Sequence, residues 1–87
     1  MRYFLSKSFE KSFKKMPRKI KDNTINRLNV FISDPMDESL NNHSLSGKFS
    51  KYRSINISGD IRAVYQIDED NNVAIFIDIG SHSKLYS

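Results

Sequence analysis

The spacing of the apolar residues changes once along this chain, near Gly47, and that change restricts the fold more than any other feature. Before it, the inward positions recur at three- and four-residue intervals: Phe9, Phe13 and Met16, then Ile20, Leu28 and Phe31 with Thr24 in the same row. This is the repeat of helices with one buried face. After it the repeat is two. Arg53, Ile55 and Ile57 alternate with Tyr52, Ser54 and Asn56, and Ile61, Ala63, Tyr65 and Ile67 alternate with Arg62, Val64 and Gln66. That is the repeat of half-buried strands. Helices followed by strands, in separate blocks, give an α+β domain.

The punctuation supplies the element order. Arg2-Tyr3-Phe4-Leu5 reads as a short strand, and Ser6 is suited to cap the helix that follows. Pro17 interrupts the first helical row and fits the first turn of a second helix, where a missing amide donor costs little. Pro35 disfavours helical geometry at Asp34 and should end that helix near Ser33. Residues 34–47 are polar and read as a long loop, of the kind that often carries function. Strands are then expected over 49–57, 61–67 and 73–77, joined by turns at Ser58-Gly59-Asp60 and Asp68-Glu69-Asp70-Asn71-Asn72. Val73-Ala74-Ile75-Phe76-Ile77 is apolar on both faces and belongs in the middle of the sheet. The expected order is β-α-α-β-β-β, a helical hairpin on one face of an antiparallel sheet, with the other face and the C-terminal residues open to a ligand.

With 87 residues, 38% of them hydrophobic, the chain suits one small domain over 1–87 with a thin core. The absence of cysteine excludes disulfides and thiolate zinc sites and suits a reducing, cytoplasmic setting. The longest apolar run, Val73 to Ile77, is far short of the roughly 20 residues of a membrane span. Charge is uneven: residues 1–30 hold nine Lys/Arg and two acids, residues 31–87 five and eight. The basic third, with Lys7, Lys11 and Lys14 on one helical face, is either a solvated surface or a contact for a polyanion or an acidic protein.

Three polar groups are candidates for chemistry: His43 in the long loop, Asp60 and Arg62 around the first hairpin turn, and Ser81-His82-Ser83-Lys84-Leu85-Tyr86 after the last strand. A meander brings the last two together, and the loop before Gly47 can close over them. Neither histidine has a metal-binding spacing, and phosphate-loop and nucleophile-elbow motifs are absent, so no metal and no cofactor is expected. Histidine can move protons near neutral pH, Arg53 and Arg62 can fork onto phosphate oxygens, and the Tyr86 ring can stack on an unpaired base. As residue types alone they have plain structural readings too: His43 as a solvated turn residue and His82 as a cap on a strand end.

Taken in order, Ser8-Phe9-Glu10-Lys11-Ser12-Phe13-Lys14-Lys15, His43-Ser44-Leu45-Ser46-Gly47, Tyr52-Arg53-Ser54, Gly59-Asp60-Ile61-Arg62-Ala63-Val64-Tyr65 and Ile79-Gly80-Ser81-His82-Ser83-Lys84-Leu85-Tyr86 resemble the RelE/ParE superfamily of bacterial toxin–antitoxin toxins, nearest the YafQ branch. The resemblance covers almost the whole chain. It implies a RelE-like fold and a metal-independent, ribosome-dependent mRNA endoribonuclease that inhibits translation and is neutralised by a cognate acidic antitoxin. His43, Asp60, His82 and Tyr86 correspond to site residues of the YafQ-like pattern, and Arg62 to an arginine of the RelE-like pattern. Lys48, Lys51 and Arg53, with Lys7, Lys11 and Lys14, would then face ribosomal RNA phosphates. The chain departs from the YafQ-like pattern at Asn56, where a histidine is expected, and at Asp78, where an arginine is expected. Two alternatives share these residues: a non-cleaving, gyrase-directed ParE-like toxin, against which the Gly80-Ser81-His82 ending argues, and a degenerate module that only binds an antitoxin.

Overall fold

The computed structural model describes residues 1–86. Strand β1 (Arg2–Leu5) leads into helices α1 (Lys7–Lys14) and α2 (Arg18–Ser33), followed by β2 (His43–Ser44), β3 (Arg53–Ser58), β4 (Ile61–Asp68), β5 (Val73–Ser81) and the short helix α3 (His82–Tyr86). Single 3₁₀ turns occupy Glu38–Leu40 and Gly47–Phe49. The strands form one sheet in the order β1-β5-β4-β3-β2.

Local chemistry sets the helix ends as expected. The Ser6 hydroxyl accepts from the Phe9 N–H at 3.0 Å and donates to the Ile77 carbonyl at 2.6 Å, so the cap of α1 also fastens it to β5. Asp34 is extended (φ −156°, ψ 98°), as a residue before proline should be, and closes α2. Pro17 sits at the cap of α2 rather than inside its first turn.

The helices lie on one face of the sheet over a core of Phe9, Leu28, Phe31, Leu40, Ile55, Ile57, Ala63, Tyr65, Ala74, Phe76 and Ile79. Phe76 is its centre. Its ring lies 5.0 Å from Tyr65, 5.3 Å from Phe31, 5.8 Å from Tyr3 and 5.9 Å from Phe9, mostly edge to face.

Beyond the position of Pro17, the structure departs from the sequence expectation in four further places. The sheet is mixed, because β1 joins the edge of β5 in parallel (Arg2 beside Val73, Leu5 beside Phe76) while the other pairings are antiparallel. The intervening helices supply the crossover that a parallel pairing requires. The long loop is partly ordered: Leu40 is fully buried and His43–Ser44 pairs with β3. Residues 49–52 form a 3₁₀ turn and its exit, so β3 starts at Arg53. The second face of the sheet is also only partly open. The 45–52 segment and α3 lie over it, and Ser54 and Val64 are buried there.

Two β-bulges set the faces. A regular hairpin around Gly59-Asp60 would pair Ile57 with Arg62 and force a core isoleucine and an arginine onto one face. Instead the register shifts between Asn56 and Ser58, so that Ile55 opposes Ala63 and Asn56 opposes Arg62. A second shift, between Phe76 and Asp78, lets Phe76 and Ile79 both enter the core although they are three positions apart. In each case one extra residue restores the match between apolar faces.

Candidate active site

The β3–β4 turn and the start of α3 meet at one end of the sheet. Gly59 takes a positive φ of 50° to close the turn, and the Asp60 carbonyl then accepts the His82 N–H at 3.1 Å. This bond ties the first residue of α3 to the turn that begins β4. Gly80, opposite Arg62 on β5, lets α3 approach closely: a Cβ there would lie 3.2 Å from Lys84 Cδ and 3.6 Å from Leu85 Cδ2. Asp60, Arg62 and His82 are thus gathered as the sequence suggested.

Arg62 is half-buried and held by one nitrogen. Its Nη1 donates to Asn56 Oδ1 at 2.6 Å and to the carbonyls of Gly59 at 2.7 Å and Ile61 at 3.3 Å. All three acceptors are uncharged, so none of these bonds sets a counter-charge against the guanidinium. Among the described residues nothing bonds Nε or Nη2, and this pair can form the two-pronged contact that a phosphate accepts.

The His82 imidazole is exposed and meets the Tyr86 ring edge to face, with centroids 4.6 Å apart. Tyr86 in turn contacts Phe49 at 5.8 Å, and Lys48 Nζ lies 5.2 Å from the Phe49 ring centre. His82, Tyr86, Phe49, Leu45 and Ser46 line an open hollow of about 210 Å³. The Tyr86 hydroxyl is buried and has no hydrogen-bond partner among the described residues. Phe49, Leu45 and Ser46 were not anticipated. The sequence signal for Phe49 was masked because the strand repeat can be extended back through it.

His43 is placed differently. It lies on the edge strand opposite Ser54, which the pleat assigns to the same face as Asn56 and Arg62. Two strand spacings across and two residues along put it roughly 12 Å from Arg62, backbone to backbone. Its Nδ1 is 2.8 Å from the Asn41 carbonyl. A carbonyl only accepts, so Nδ1 donates in this contact, and in the neutral ring the lone pair then sits on Nε2.

The other predicted contacts separate. Arg53 shares the helix face with Ile55 and Ile57. Its Nε donates to Asn42 Oδ1 at 2.9 Å, and Asn42 Nδ2 donates to the Tyr65 hydroxyl at 2.6 Å. Arg53 is therefore built into the packing of the long loop and is not brought to Arg62. Lys51 is exposed beside the 3₁₀ turn. Lys7, Lys11 and Lys14 are exposed on α1, beside Glu10 and Lys15 along a shallow groove on the helix layer, not on the face that holds His82. Asp78 accepts from Ser12 Oγ at 2.7 Å and from the Ile79 N–H at 2.8 Å, fixing α1 to β5. An arginine at that position has no acceptor to offer. Among the described residues no group of three or more His, Cys, Asp or Glu is placed to hold a metal ion, and no helix is long and apolar enough to cross a membrane.

The full chain, residues 1–87, matches the family model for the bacterial toxin of type II toxin–antitoxin systems, YafQ. No curated protein matches it significantly. Among solved structures it is similar to YafQ from Escherichia coli, with 17% identity, TM-score 0.81 and 100% of both chains covered. A copper-bound mutant toxin from Helicobacter pylori is 27% identical at TM-score 0.71, covering 99% of each chain. The archaeal RelE–RelB complex from Pyrococcus horikoshii matches at 15% identity and TM-score 0.76, over 95% of this chain and 96% of that one. The match over the full chain establishes that this protein belongs to the YafQ family of bacterial type II toxin–antitoxin toxins.

Proposed function

We propose that this toxin is a metal-independent endoribonuclease that cleaves mRNA on the ribosome, with Arg62 holding the scissile phosphate and His82 moving a proton at it. The observation that carries the reading is the bond from the His82 N–H to the Asp60 carbonyl, which ties the residue bearing an exposed imidazole to the turn that leads into Arg62, whose Nε and Nη2 are unengaged among the described residues. In the reaction the 2′-hydroxyl oxygen attacks phosphorus as the bond to the 5′-oxygen breaks, leaving a 2′,3′-cyclic phosphate and a 5′-hydroxyl. One group takes the 2′-hydroxyl proton and another supplies a proton to the departing oxygen. His82 is the natural donor to the leaving oxygen. His43, whose neutral ring with Nδ1 donating to the Asn41 carbonyl would carry its lone pair on Nε2, takes the 2′-hydroxyl proton when the bound strand spans the two. Arg62 stabilises the charge that grows on the phosphorane. The hollow lined by Phe49, His82 and Tyr86 receives a neighbouring base by stacking. Asp60 shapes the turn through its backbone and adds a carboxylate at its rim.

A cognate antitoxin restrains this activity, a reading supported by the RelE–RelB complex among the similar structures and by the basic N-terminal third. The test is induced expression followed by mapping of mRNA 5′ ends. Wild type should cut within translated codons, and His82→Ala should lower cleavage by about 100- to 10,000-fold with circular dichroism unchanged. Full activity of His82→Ala would remove the proton-transfer role. DNA damage signalling without transcript cleavage would instead support a gyrase-directed toxin, and no effect a module that only binds antitoxin.

A further inference from the structure

We propose that Asn56 is a positioning residue for Arg62: its amide oxygen clamps one end of the guanidinium, so that the other end is presented to an RNA phosphate. The proposal rests on the nuclease reading above for the identity of the phosphate. The contact itself stands on geometry alone.

Asn56 and Arg62 are direct cross-strand partners on β3 and β4, and the 2.6 Å contact from Nη1 to Oδ1 is the shortest that Arg62 makes. The amide can be oriented in only one way here. A guanidinium offers donors alone, so the oxygen must face it. This clamp acts with the Gly59 carbonyl at 2.7 Å, and the two together fix Nη1 from a strand and from the adjacent turn. The bulge between Asn56 and Ser58 creates the pairing, since a regular register would have put Ile57 opposite Arg62. A residue of the wrong chemistry would therefore face the arginine without it.

The choice of a neutral acceptor also has a consequence. A carboxylate at position 56 would hold Nη1 at least as firmly and would cancel the charge that the phosphate needs. Asparagine orients the arginine and leaves its field intact. A histidine, the residue the YafQ-like pattern leads one to expect here, would accept through one ring nitrogen only when unprotonated. Asparagine gives the same contact at every pH at which the protein is folded.

The test combines two readouts. The first is independent of cleavage: the NMR order parameter of the Arg62 Nε–H should fall in Asn56→Ala. An unchanged value would overturn the proposal whatever reaction the protein performs. The second is cleavage of mRNA on purified ribosomes. Asn56→Ala should lower kcat roughly 10- to 100-fold, because a small misplacement of a reacting group is costly. The same substitution should have little further effect in an Arg62→Lys background, where the clamped nitrogen is gone. An equal loss in both backgrounds would mean a merely structural role and would overturn the proposal. Asn56→Asp keeps the size and the acceptor, guards against a folding defect in the alanine variant, and should also lose activity. Wild-type activity in Asn56→Asp would overturn the charge argument. If the order parameter falls in Asn56→Ala but wild type never cleaves mRNA, the clamp holds and the nuclease reading fails.

Discussion

Arg62 is a cation held in place without an ionic partner among the described residues. Three neutral oxygens fix Nη1, and the unengaged Nε and Nη2 have a planar spacing that lysine cannot reproduce. Arg62→Lys should therefore lose roughly 10- to 100-fold in cleavage rate, the equivalent of one charge-assisted hydrogen bond. Single-turnover cleavage of mRNA on ribosomes, comparing the lysine variant with wild type, measures it directly. Equal rates would reduce Arg62 to a generic charge. Asp78 teaches the complementary point. It departs from the family pattern, yet its carboxylate accepts from Ser12 on α1 and from its own strand, so the position has been given to architecture.

At the level of elements, the site depends on how closely α3 can lie on β5. Gly80 sets that distance. An alanine Cβ would meet the flexible Lys84 side chain at 3.2 Å, which can move aside, whereas the branched atoms of valine would press on Leu85 as well. Gly80→Ala should keep most activity, and Gly80→Val should lift α3, separate His82 from Asp60 and lose it. Amide exchange at His82 reports the break independently of cleavage. The β4–β5 hairpin offers a pH test. The Asn71 side-chain amide, and then the Asn71 backbone N–H, donate to Asp68 and hold its carboxyl below the ordinary value of 3.8. A carboxylate with a lowered folded-state pKa contributes stability above its unfolded value, and that contribution is lost as pH falls through the folded value. Asp68→Ala should therefore be less stable than wild type at neutral pH, with the gap closing below about pH 4. Urea denaturation midpoints of the two proteins across pH 2–7 would show the closure, and a gap independent of pH would contradict it.

Across the whole molecule, the two candidate surfaces are separated by the sheet. The Lys7, Lys11 and Lys14 row lies on the helix layer, while Arg62, His82 and Tyr86 lie on the opposite face. Attachment to a polyanion and chemistry should then be separable. Changing the three lysines together to glutamine should lower the salt dependence of ribosome binding by about two to three in log–log slope, while cleavage of already bound mRNA keeps its rate. Co-sedimentation with ribosomes at several salt concentrations tests it, and an unchanged slope would return the row to an ordinary solvated surface. The same separation leaves an antitoxin two routes: covering the His82 end, or covering the helix layer and blocking access while the site stays open. Protection mapping of the purified complex distinguishes them.

Apolar periodicity alone determined the α+β class, both long helices and three of the strands, because burial imposes repeats of 3.6 and 2 that survive in the order of residues. Ser6, Pro35 and the two turn sequences marked the ends for equally local reasons. The candidate site residues could be proposed from residue types, and the motif order around Gly80-Ser81-His82 made the family recognisable. What the sequence could not carry was register. The parallel placement of β1, the burial of Leu40, the turn of Arg53 toward Asn42, and the two bulges arise from contacts between residues far apart in the chain. A bulge adds one residue with no local signature, yet it reverses which side chains share a face. That is why Asn56 could be read as a departure from a pattern, and only the folded sheet placed it against Arg62.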